Sequence, residues 1–109
     1  MIKIIIRTKK EEYIGFSSIG HAGYAESGSD IVCAAVSVLI LNTVNSIEQF
    51  TSDIFRIETD EKQGVFEFEF HTIPSKEAKL LFSSMVLGIS SLVEDEEYNE
   101  YLSLLFEEV

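Results

Sequence analysis

A single cysteine, a single proline and no tryptophan occur in the 109 residues of this chain. One thiol excludes an internal disulfide framework, a C-x-x-C redox pair and a four-thiolate zinc site, and it suits a reducing cytoplasm. Cys33 is then either an inert small hydrophobe or a reactive thiol. Basic residues are scarce as well: 8 Lys and Arg stand against 19 Asp and Glu, for a formal net charge of -11. Such a surface repels phosphate backbones and attracts cations, which argues against direct nucleic-acid binding and leaves solubility or a basic protein partner as its purpose. The longest apolar run, IVCAAVSVLILNTV, is broken by serine and asparagine and falls short of the roughly 20 residues of a bilayer span, so no membrane helix is expected. The N-terminal MIKIIIRTKK has no small-residue cleavage site behind an apolar core and reads as a strand, not as an export signal.

What is present is enough for one compact domain over residues 1–109, with 46% apolar residues to build its core. Ile2, Ile4 and Ile6 alternate with Lys3, Ile5 and Arg7, the period of a strand, and TKKEE offers a polar turn into YIGFSSI. Asp30 is placed to cap a helix from Ile31 to about Phe50, apolar on nearly every side in its first half and therefore central. A second hairpin follows, in which Phe55 and Ile57, then Phe66, Phe68 and Phe70, form a greasy face opposite an acidic one. Pro74 and Ser75 introduce a second helix whose Ala78, Leu81, Phe82, Met85, Val86, Ile89, Leu92 and Val93 share one stripe, and the tail reads either as a short helix or, the reading favoured, as a strand from about Leu102. The fold class expected is α+β, a two-layer sandwich: a mainly antiparallel sheet of two hairpins with two helices packed on one face. The other face would carry Lys3, Arg7, Glu67 and Glu69.

The chemistry concentrates in GHAGYAESGSDIVCAAVS, residues 20–37. With Asp30 as N-cap, Cys33 is the third residue of the helix, where backbone N–H groups and the macrodipole favour a thiolate. Asp30 opposes this with its own charge while its oxygen accepts the Cys33 N–H, so a protonated imidazole is needed to complete the activation, and His21 is the candidate. Gly20, Gly23 and Gly28 permit positive backbone angles, so the segment is expected to be mobile, to fold a strand-end histidine over the helix start and to close on an extended peptide. The plain alternative is that Cys33 packs in the core and His21 ends a strand.

The pattern Gly20-His21-Ala22, then Gly28, Asp30 and Val32-Cys33-Ala34-Ala35-Val36-Ser37 resembles the signature of the bacterial ribosomal-processing cysteine protease family, Prp. The resemblance implies a cysteine endopeptidase, a hydrolase that removes the N-terminal extension of large ribosomal subunit protein 27 during ribosome maturation. It places the catalytic histidine on His21 and the nucleophile on Cys33. Asp30 and Ser37 match further motif positions: Asp30 orients the loop or His21 as well as capping, and Ser37, one helical turn after Cys33, either hydrogen-bonds at the site or fills the core. The family's substrates carry apolar and aromatic residues before the cut and basic ones after it, which an apolar cleft with an acidic rim would suit. A homodimer is also implied, with Ile5 or Leu87, both off the core stripes, available to an interface; a cytoplasmic enzyme without a cofactor is expected.

Two other classes compete. A non-enzymatic, acidic ribosome-assembly factor gripping a basic ribosomal protein would have the same charge but no use for a reactive thiol. A metal site from His21, Asp30, Cys33 and His71 has a single thiolate and no standard zinc spacing; His71, closing the FEFEFH strand, reads as structural.

Overall fold

In the first hairpin, the alternation read along Ile2, Ile4 and Ile6 is satisfied by β1 (Ile2–Lys9) pairing antiparallel with β2 (Glu12–Ile19). The computed structural model describes residues 1–21 and 30–109. Between the two strands the register passes from Arg7 opposite Gly15 to Thr8 opposite Tyr13, which leaves Ile14 as the extra residue of a β-bulge. The bulge turns Gly15 onto the neighbouring strand so closely that a Cβ there would lie 2.2 Å from the Phe68 carbonyl oxygen. Only glycine fits.

The remaining elements are α1 (Ile31–Phe50), the hairpin of β3 (Phe55–Asp60) and β4 (Val65–Phe70), α2 (Lys76–Glu94) and β5 (Leu102–Glu108). The sheet order is β3-β4-β2-β1-β5, with every neighbouring pair antiparallel except β1 with β5, which is parallel. Parallel pairing sets Leu102 and Leu104 beside Ile2 and Ile4, so the apolar phase of β5 matches that of β1 and both feed the same core. The architecture is the expected α+β sandwich, and of the two alternatives for the tail the strand is the one it takes.

Both helices cover one face. Val32, Val36, Ile40, Val44 and Ile47 of α1 and Ala78, Phe82, Met85, Val86 and Ile89 of α2 are buried in one cluster with Ile4, Ile6, Phe16 and Phe68 of the sheet. Helix α1 is 20 residues long and contains an 18-residue stretch with a mean hydropathy of 1.7, enough by length and composition to cross a bilayer, longer than its uninterrupted apolar run suggests. Its three-and-four stripe against the sheet accounts for that apolarity as the core helix of the sandwich. Gly88 lets the helices approach, since a Cβ there would meet the Leu39 side chain at 2.8 Å. Aromatic rings tie the layers: Phe16 stacks on Phe68 at 5.4 Å and meets Phe82 edge-on at 5.8 Å.

The opposite face carries charge, as the alternation predicts. Ser17 is buried there because Arg7 and Glu67 lie over it: Arg7 donates to its Oγ, which donates to Glu67 at 2.8 Å, and Arg7 pairs with Glu67 at 3.2 Å.

Candidate active site

Three strand ends converge at one end of the sheet. Ile2 opens β1, Ile19 closes β2 opposite Lys3, and Val65 opens β4 opposite Ile19. The N-terminus of α1 lies over them, and between them is a cleft of about 240 Å³. His21, just beyond β2, and Cys33, in the first turn of α1, both line it. Residues twelve apart in sequence are thus brought to one cavity, His21 exposed and Cys33 half-buried.

The helix start has the geometry that the sequence implies. Asp30 is extended (φ −76°, ψ 102°) and its Oδ1 accepts from Val32 N at 3.0 Å and Cys33 N at 3.1 Å, while its carbonyl accepts from Ala34 N at 3.1 Å. A consequence follows for catalysis. The N–H groups of Val32, Cys33 and Ala34 are engaged by the cap, so in this state the Cys33 amide is not the donor for a reaction oxyanion.

Ser37, four residues on from Cys33, shares its helical face and is exposed on the cleft wall. The alternative that it fills the core is therefore corrected: the core stripe runs through Val36 and Ile40 instead. Gly20 also lines the cleft and turns the chain at φ 95°, where a Cβ would stand 2.5 Å from the Met1 carbonyl oxygen. Gly23 and Gly28, with the expected mobility and closure of their loop, lie outside the described residues.

His71 is not part of this place. It follows the far end of β4 from Val65, roughly 20 Å along the strand at its usual rise, and its N–H is bonded to the Ile54 carbonyl. The four-residue metal constellation is thereby broken up, and among the described residues no three histidine, cysteine or acidic side chains come together as a metal would require.

The rest of the lining went unread in the sequence. Val36, Ile40, Leu41 and Phe66 make an apolar wall, and Asp60, which closes β3, and Glu61, which opens the turn to β4, make an acidic edge. Ser18 lies in the wall as well, and its signal was available: period two puts it on the inward face with Phe16, where a serine is out of place. Gly64, in the same turn as Glu61, touches the site too; a glycine closing a polar turn gives no hint of that.

Comparison with known proteins identifies the family of the chain. The family model described as Cysteine protease Prp matches residues 1–103. The ribosomal processing cysteine protease Prp of Staphylococcus aureus is 35% identical over 85 residues, 78% of each chain, and that of Bacillus subtilis is 31% identical over 104 residues, 91% of this chain and 93% of that one. Crystal structures of the S. aureus protease superpose with a TM-score of 0.91, in complex with a covalently linked product peptide, and of 0.87, in complex with a substrate peptide. Each covers 98% of this chain and all of the other, at 31% and 30% identity. A match along nearly the whole chain, around a cleft that holds a cysteine and a histidine, places this protein in the Prp family of cysteine proteases.

Proposed function

We propose that this protease removes the N-terminal extension of large ribosomal subunit protein 27, with Cys33 as nucleophile and His21 as the proton carrier. The observation that supports the reading is their presence in one cleft whose wall is apolar and whose edge is acidic, a shape suited to a peptide with apolar residues before the cut and basic ones after it. Family membership decides against the non-enzymatic assembly factor.

In the reaction, the Cys33 thiol proton passes to His21 and the sulfur attacks the scissile carbonyl carbon. The C–N bond breaks as His21 returns the proton to the leaving amine, which departs and leaves a thioester on Cys33. Water attacks the thioester, its proton going by way of His21 to the sulfur, and the carboxylate product leaves. Asp30 holds the helix start and so fixes the direction of the Cys33 side chain. Its negative charge opposes the thiolate, which makes the imidazolium of His21 the chief stabiliser of the ion pair. Ser37, on the same helical face, supports the bound peptide. We place the enzyme in the cytoplasm as a homodimer, with Leu87, 69% exposed on α2, at the contact; sedimentation equilibrium of the wild type and Leu87→Glu tests the dimer.

The test of function is to incubate the protein with extended ribosomal protein 27 and read the products by mass. One cut at the end of the extension is expected. Cys33→Ala and Cys33→Ser should fold and cleave nothing, because a serine hydroxyl is far harder to deprotonate than a thiol under the same activation. His21→Ala should slow both cleavage and alkylation of Cys33. An uncut precursor overturns the substrate, and full turnover by folded Cys33→Ala overturns the nucleophile.

A further inference from the structure

The β3–β4 turn comes back to the site at a point that the reaction does not explain. Gly64 has φ 65°, in the left-handed region, and a Cβ on it would stand 2.8 Å from the Gly20 carbonyl oxygen and 3.0 Å from His21 Nε2. The two segments are also bonded, with Gly20 N donating to the Gly64 carbonyl at 3.0 Å. The turn that presents Gly64 is itself braced: Gly64 N donates to the Glu61 carbonyl at 3.3 Å and Gln63 N to the Asp60 carboxylate at 3.2 Å.

We propose that Gly64 is a positioning residue for His21, its bare Cα forming the seat against which the imidazole rests in the cleft. The left-handed backbone alone would ask for glycine or asparagine. The contact with His21 asks for more, because asparagine brings a Cβ to the same point and presses on the ring and on the carbonyl just before it. Nothing in the route to the site relieves that pressure. Gly20 is bonded to Gly64 on one side and packs on the Met1 carbonyl on the other, so the displacement passes to the imidazole. Displacing a proton carrier by a fraction of an ångström acts on the chemical step and leaves peptide binding alone.

The inference rests on His21 being the proton carrier, and the experiment separates the two. Gly64→Asn keeps the left-handed backbone accessible and adds the Cβ; Gly64→Ala adds the same Cβ without the asparagine's further atoms in the cleft, and serves as the second variant. Both are measured for thermal melting, for kcat and KM on a peptide substrate, and for the rate of Cys33 alkylation against pH, alone and combined with His21→Ala. Expected for both variants is a folded protein that melts a few degrees below wild type, because the Cβ also presses on the Gly20 carbonyl, with kcat lowered about 10- to 100-fold, KM changed much less than kcat, and an alkylation profile moved towards that of His21→Ala. On the His21→Ala background the substitution should lower kcat no further. Wild-type kcat and alkylation in a folded Gly64 variant overturn the inference, as does a loss that is the same on both backgrounds, which is the mark of a structural role. If His21→Ala itself turns over at the wild-type rate, the proton-carrier reading falls, and the seat has no catalytic meaning.

Discussion

Lys10 and Glu11 join β1 to β2 as a two-residue loop with φ of 50° and 68°, the pair of positive angles that a type I′ turn requires. Neither residue favours that region, and each non-glycine side chain held there costs about 1 kcal/mol. The twist of the strands decides the turn, and the turn residues comply. Replacing the pair by Asn-Gly, written Lys10→Asn with Glu11→Gly, keeps the Lys10 N–H bond to Glu108 and should raise stability by about 0.5–1 kcal/mol. Thermal melting checks it, with a rise of a few degrees expected; an unchanged or lower midpoint shows that the angles carry no strain.

At the scale of elements, the entrance to α2 is fastened to the chain that leaves α1. Ser75 caps α2 by accepting from Ala78 N at 3.1 Å, and Asp53 in turn accepts from Ser75 N at 2.8 Å and from the Ser75 hydroxyl. Burial of Asp53 tends to raise its pKa, but the hydrogen bonds from Ser75, with those from Thr51 and its own amide, outweigh that and leave it below the ordinary carboxylate value. The sign follows from linkage. A carboxylate whose folded pKa is lowered stabilises the fold above its unfolded pKa, and that contribution is lost as pH falls through the folded value. Asp53→Asn should therefore melt below wild type at neutral pH, by the equivalent of about 1 kcal/mol, and the gap should close on acidification below about pH 4. A gap independent of pH would mean that the charge of Asp53 is irrelevant and only its shape matters.

For the molecule as a whole, the net charge of -11 includes two carboxylates at the cleft. Asp60 and Glu61 are exposed on the cleft's edge, where the substrate proposed above would bring the basic residues that follow its cut. Exposed charges act through the field and through modest pairwise terms, both screened by salt. The double variant Asp60→Asn, Glu61→Gln should lower kcat/KM several-fold for a peptide with lysines after the cut, chiefly through KM, and leave a peptide with neutral residues there unchanged. Added salt should weaken wild type more than the variant. Equal losses on both peptides would remove the acidic edge from recognition.

Local pattern alone determined the elements of this protein. Alternation marked the strands, the three-and-four stripe marked α2, and Asp30 and Ser75 announced helix starts that the structure then capped, because each of these signals depends on residues within a turn or two of one another. His21 and Cys33 were legible as neighbours for a related reason: they stand only twelve positions apart, at a strand end and a helix start, and the family motif marked both. What only the tertiary structure decided is the strand order β3-β4-β2-β1-β5 and the parallel seat of β5, since hydrophobic phase shows which face a strand turns inward but not which neighbour it takes. That order carries the β3–β4 turn to His21, so the places of Asp60, Glu61 and Gly64 beside the cleft follow from it. These residues lie about forty positions from the histidine in sequence, and no local pattern reports a contact that is set by the packing of the sheet as a whole.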